Sequence, residues 1–183
     1  MSLGPGAAGE PALRVATVES LGRREWSEVV RLCSAAFSED FDAIFRALPR
    51  TTHILAYIDD RLVSHACWLA RRLQPGTHRP LRTAYVEAVA TDPYHQRKGY
   101  ATVVMRRLAT AISGYELGAL SPATASLYER LGWRKWRGAL SIRTDTGPFA
   151  TPEEEVMVLR LPGSPQLYLD GPLSAEWRQG ELW

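Results

Sequence analysis

Three features of this sequence could do chemistry: a basic turn at Gln96–Ala101, a glutamate inside an apolar run at Glu87, and a tyrosine at Tyr128. The turn Gln96-Arg97-Lys98-Gly99-Tyr100-Ala101 follows a strand-like run, Ala84–Thr91. It opens into a segment whose Ala101, Val104, Met105, Leu108 and Ile112 recur at helical spacing. A strand feeding a glycine turn at a helix start is a way to hold phosphate. The first N–H groups of a helix lack partners, and its dipole places roughly half a positive charge there. Gly99 lets the backbone approach an anion, and Arg97 and Lys98 add charge. The ligand expected is a phosphorylated cofactor. A Walker loop needs a longer span ending in Gly-Lys-Ser/Thr and a dinucleotide loop needs three glycines, and neither is present. Taken alone, the turn also fits an ordinary basic helix start on a solvated surface.

Glu87 interrupts an otherwise apolar strand. Desolvation there is expected to raise its pKa and suit it to accepting a proton. It would serve equally to bind a substrate's charge, or to pair with an arginine such as Arg71 or Arg82. Tyr128 lies about 100° round its helix from a core seam of Leu127 and Leu131, turned toward a cleft. A phenol of pKa near 10 can hand a proton to a leaving group of similar basicity, or it can simply pack.

The elements that must position these residues fit one domain. With 183 residues, 45% hydrophobic and 23% charged, a full core is affordable. Residues 1–12 read as a disordered tail, and 13–183 as the domain. Expected strands and helices follow in the order strand 13–18, helix 22–37, helix 40–48, hairpin 52–58 with 62–73, strand 81–91 and the helix after Gly99. Strand 115–120 comes next, then a helix from Pro122 to a glycine cap at Gly132, strands 133–142 and 156–161 joined by a loop, and a short helix within 173–183. That order predicts an α/β (α+β) architecture with helices on both faces of a mixed sheet. The net charge of +2, with scattered basic residues, argues against nucleic acid. No run approaches the ~18 apolar residues of a membrane span, and no signal peptide is read. Cys33 and Cys67 sit in apolar stretches and are expected to be reduced, which favours the cytoplasm. His53, His65, His78 and His95 do not fall at metal-ligand spacing, so no metal is expected.

The turn, with Gln/Arg-x-x-Gly-x-Gly/Ala after a strand, resembles the pyrophosphate loop of the GCN5-related N-acetyltransferases (GNAT). Leu127-Tyr128-Glu129-Arg130-Leu131-Gly132-Trp133, about 30 residues on, resembles a second segment of that family. More sharply, four stretches are similar to the aminoglycoside 2′-N-acetyltransferases. They are Asp40-Phe41, Tyr85–Ala90, Leu117–Ser121 and the ending Trp177–Trp183, and the loop Thr144–Pro152 before three glutamates is similar as well. Phe45 departs from the pattern, where the family often has an acid, which leaves the drug open.

The resemblance implies a GNAT fold with a mostly antiparallel twisted sheet, acetyl-CoA (coenzyme A) as cofactor, and a cationic aminoglycoside as small-molecule partner. Val89, Ala90 and Thr91 would meet the pantetheine arm, and Gln96, Arg97, Lys98, Gly99, Tyr100, Ala101 and Thr102 the diphosphate. Glu87 would act as base or substrate ligand, and Tyr128 as acid to the departing thiolate. Asp40, Ser121, Glu153, Glu181 and the carboxylate of Trp183 would line the acceptor pocket. Acetylation of another amine, or binding without turnover, remains open from sequence, and a homodimer is expected from related enzymes.

Overall fold

The computed structural model describes residues 10–48, 50–180 and 182–183. In chain order, β1 is Ala12–Thr17, α1 Arg23–Phe37, α2 Phe41–Ala47, β2 Thr52–Ile58, β3 Arg61–Pro75 and β4 Leu81–Thr91. Then come α3 Tyr100–Ala111, β5 Leu117–Leu120, α4 Ala125–Arg130, β6 Arg134–Lys135, β7 Leu140–Thr144, β8 Gly147–Ala150, β9 Met157–Arg160 and β10 Leu173–Glu176.

β2 and β3 form a hairpin closed by Asp59 and Asp60, whose φ values of 47° and 59° are both left-handed. Two such residues are what a two-residue type I′ turn requires, and aspartate tolerates the region. β3 is the spine of the sheet. One edge carries β4 in antiparallel pairing, and the other is shared by β2 toward its start and β10 toward its end. β5 joins β4 in parallel, β9 follows antiparallel, and β6 lies on the outer side of β9. β7 pairs in parallel with β10 and in antiparallel with β8. The sheet is therefore mixed and mostly antiparallel.

Helices cover both faces because the strands between them are apolar on both sides. Ile54, Ala66, Trp68, Ala84 and Val86 pack against Val104, Met105 and Leu108 of α3 and Tyr128 of α4. On the opposite face Leu55, Leu62 and Cys67 meet Val29, Leu32 and Cys33 of α1 and Phe41 and Phe45 of α2. Further along that second face, Leu73, Leu81, Tyr85 and Leu117 are covered by Ile142, Leu173 and Trp183.

Several boundaries differ from the sequence reading. α4 starts at Ala125 after Thr124, not at Pro122, while Gly132 does close it in the left-handed region at φ 87°. The expected strand 133–142 is two strands, interrupted where Trp136, Arg137 and Gly138 bond to the backbone of Val156 and Leu169. The expected loop after Thr144 contains the hairpin strand β8, which turns through Gly147 at φ 119°. The expected terminal helix is β10, where Leu173 and Ala175 point inward and Ser174 and Glu176 stay half-buried, a period of two. Residues 1–9 of the expected tail lie outside the described residues.

Candidate active site

The site begins where β4 and β5 part. On β4, β5 pairs with Thr83, Ala84 and Tyr85, and β4 then runs six residues further to Thr91 with no strand partner on that side among the described residues. The wedge opens into a cavity of about 700 Å³. Val86, Glu87, Ala88 and Val89 form one wall, Leu120, Ser121, Ala123 and Tyr128 a second, and Trp183 with Gln179 and Gly180 a third. The α2 region supplies the fourth, through Phe37, Glu39, Phe41, Ile44 and Leu48.

Beyond Thr91, Asp92 nucleates a short turn of 3-10 helix. Its carboxylate accepts from Tyr94 N at 2.9 Å and contacts His95 Nδ1 at 3.1 Å and Arg61 at 3.2 Å. These hydrogen bonds hold its pKa below the usual aspartate value despite burial. Gln96 Nε2 reaches back to Thr91 O at 3.4 Å. Arg97 and Gly99 then take left-handed φ values of 61° and 86°, and α3 starts at Tyr100. Val103 N makes the first helical bond, to Gly99 O at 3.1 Å, so the N–H groups of Tyr100, Ala101 and Thr102 are the unpartnered first turn. Arg97 and Lys98 are exposed beside them, and no atom lies within 4 Å of the place a Cβ on Gly99 would occupy. This cradle fits a diphosphate: it offers main-chain donors, a helix dipole and open approach.

Tyr128 is the buried residue of α4, only 9% exposed, with its ring edge-on to Trp133. The expected arrangement, a core seam of Leu127 and Leu131 with Tyr128 outside it, is reversed, because both leucines are half-buried. Burial pushes its phenol up to about 12, so the proton stays on across the neutral range. Tyr128 lines the cavity, and among the described residues its hydroxyl has no hydrogen-bond partner.

Glu87 sits opposite, half-buried. It pairs with an arginine, Arg178, whose Nη2 donates to Glu87 Oε1 at 2.7 Å and to Trp183 O at 3.2 Å, and the Arg71 guanidinium also feels the Glu87 charge. Arg82 instead lies over the Tyr115 ring, 4.3 Å from its centroid. Arg71 is buried over the Tyr85 ring at 4.7 Å and donates to Leu182 O at 2.8 Å and Glu176 O at 3.0 Å. It thereby staples the final segment to the sheet. Trp183 is buried, its indole N–H bonded to Thr151 Oγ1 at 2.8 Å.

The other expected acceptor ligands are dispersed. Asp40 caps α2, accepting from Asp42 N at 3.1 Å and Ala43 N at 3.4 Å, while the neighbouring Glu39 lines the cavity. Ser121 is exposed on the cavity wall. Glu153 is exposed and away from that lining, and Glu181 lies outside the described residues. Ala90 is buried and Thr91 bonds Ser64 Oγ at 2.9 Å, which leaves Val89 as the member of that trio on the cavity. Sequence reasoning missed Arg178, Glu39 and the apolar α2 wall. Only the apolar pattern of α2 carried a signal for them.

Comparison with known proteins gives the family and the fold. The family profile described as "Acetyltransferase (GNAT) domain" matches residues 17–136. An aminoglycoside 2′-N-acetyltransferase of Mycolicibacterium fortuitum is 32% identical over 161 residues, covering 84% of this chain and 82% of that protein. Among solved structures, a GNAT family N-acetyltransferase of Escherichia coli in complex with CoA superposes with a TM-score of 0.61 at 16% identity, over 96% of this chain and 93% of the other. A GCN5-related N-acetyltransferase of Kribbella flavida gives 0.56 at 20% identity, over 71% and 34%.

Proposed function

The chain belongs to the GNAT acetyltransferase family, and from that premise we propose that it acetylates the 2′-amino group of an aminoglycoside, so inactivating the drug. Acetyl-CoA is its cofactor and supplies an activated acyl group when bound. The cradle at Arg97–Thr102 would hold the diphosphate, and the free edge of β4 at Val89 the arm leading to the thioester. Glu87 receives the substrate ammonium, as base or as charge partner. Tyr128 keeps its proton near neutral pH and gives it to the departing sulfur. The observation that carries this reading is that Glu87 and Tyr128 both line the cavity at the β4–β5 wedge. The choice of an aminoglycoside is supported by the 32% identical relative.

A second reading, an amine with fewer positive charges, is favoured by the cavity itself. Among the described residues its acidic side chains are Glu39 and Glu87, and Arg178 donates both to Glu87 and to the main-chain oxygen of Trp183. One experiment separates the two. Thiol release from acetyl-CoA is followed with an aminoglycoside panel, a polyamine and simple monoamines, and mass spectrometry locates the acetyl group on the product. Acetylation at the 2′-nitrogen supports the first reading, and turnover confined to monoamines replaces it with the second.

A further inference from the structure

Glu87, Ala88 and Val89 all border the cavity, although a regular strand sends successive side chains to opposite faces. The reason is a bulge in β4. Between the pairs His65↔Ala90 and Cys67↔Glu87, two steps along β3 face three along β4. Ala88 absorbs the extra residue at φ 50°, a region that a side chain with a Cβ occupies only where its surroundings impose it.

Two buried imidazoles supply that constraint. His65 Nδ1 lies 2.9 Å from Ala88 O, His65 Nε2 lies 2.8 Å from His53 Nδ1, and His53 Nε2 lies 2.8 Å from Thr51 Oγ1. The direction of this chain is forced. A carbonyl only accepts, so His65 carries its proton on Nδ1. A neutral ring then accepts at Nε2, so His53 donates from Nδ1 and accepts from the Thr51 hydroxyl. All three residues are buried, with Phe45 stacked edge-on to both rings. Burial lowers the two imidazoles to about 4 and about 3, which keeps them neutral. Cys67 Sγ adds a contact to Glu87 O at 3.5 Å, and Cys33 Sγ lies 3.5 Å from His65 Nδ1. The ligand atoms of His53, His65 and Cys67 fall within 4.8 Å of one another, as metal ligands would. All four ring nitrogens are nevertheless engaged, so the cluster is complete as a hydrogen-bond chain.

We propose that His53 and His65 are positioning residues for acetyl transfer: a one-way chain of hydrogen bonds from Thr51 holds the Ala88 bulge and so presents both Glu87 and Val89 to the cavity. This rests on the family's acetyl transfer and not on which amine is acetylated.

Long-range proton–nitrogen correlation on the labelled full chain at neutral pH reads the two tautomers. Both rings should carry the proton on Nδ1, and an Nε2–H form at His65 overturns the proposal. Among variants, H65L removes the donor, whereas H65N retains an amide near the Nδ1 position. In H65L the amide resonances of Glu87–Ala90 should move while those of Gly99–Thr102 stay in place. Coenzyme A affinity by calorimetry should fall less than about threefold, because the cradle at Gly99–Thr102 stays in place and only the arm contact at Val89 weakens, while kcat should fall on the order of 10- to 100-fold. H65N should recover most of that loss. Wild-type kcat in H65L, or a loss of coenzyme A affinity as large as the loss of kcat, overturns the proposal. Should H65L not fold, H53L breaks the chain one link earlier and carries the same expectations and the same refutations. Were no amine acetylated by the wild type, the substrate reading would fall, while tautomers and amide shifts would still decide this one.

Discussion

Tyr128 and Arg178 show how burial and charge assign work to single residues. Tyr128→Phe removes a proton donor and little packing volume, so coenzyme A affinity should stay constant while kcat falls roughly 100-fold or more. Steady-state kinetics beside calorimetry checks this, and unchanged turnover would take Tyr128 out of the chemistry. Arg178 is a cation paired with Glu87, the residue proposed to receive the substrate amine. Its ion pair with Glu87 is only 12% and 21% exposed, so breaking it should cost about 1–3 kcal/mol, read as a lower melting temperature. The same Arg178→Gln change should lower the amine KM, because the substrate ammonium no longer competes with a guanidinium for Glu87. A raised KM would mean that Arg178 chiefly aims the carboxylate. No pattern in the sequence pointed to this pair, since 91 residues separate its members and β10 brings the second one back.

At the scale of elements, the turn before α3 is the part most open to sequence reasoning, because its function lies in the backbone. Gly99 at φ 86° has open space where a Cβ would go, so a substitution there meets backbone strain rather than a clash. Gly99→Val should cost about 1–2 kcal/mol of strain if the loop holds its path, and β-branching makes that path worse. The loop is expected to relax instead, lowering coenzyme A affinity at least about tenfold with the melting temperature little changed. Calorimetry and thermal melts test this; undiminished affinity would deny the cradle its role. The hairpin turn Asp59-Asp60 and the Gly132 cap are legible for the same reason. Local geometry demands residue types that local sequence displays. β10 was misread as helix because four residues at the end of a chain carry little periodicity, and its pairing with β3 and β7 is long-range.

The whole molecule carries the pH dependence. His53 and His65 titrate near 6.5 when unfolded but at about 4 and about 3 when folded. Above pH 6.5 both states are neutral and the contribution to stability is complete. As pH falls from 6.5 toward 4, the unfolded chain takes up protons that the native core refuses, so stability falls. Two such groups approach a slope of about 2–3 kcal/mol per pH unit in that window. Glu19 opposes the shift at His53; at His65 the charge of His53 adds to it and the hydrogen bond to Ala88 O opposes it. Urea melts between pH 4 and 7 should show this fall, and H65N should flatten it. Equal slopes in both proteins would remove the histidines from the acid response.

The sequence by itself determined the glycine turn before α3, the candidate proton donor, most of the elements and the mixed sheet with helices on both faces. Each rests on spacing within about 15 residues or on a backbone conformation that few residue types permit. Only the tertiary structure decided what Glu87 faces, that Glu39 rather than Asp40 borders the cavity, and that His53 and His65 brace a bulge. Those facts depend on which distant chain segments meet, and on a one-residue slip in strand register that turns side chains from one face to the other.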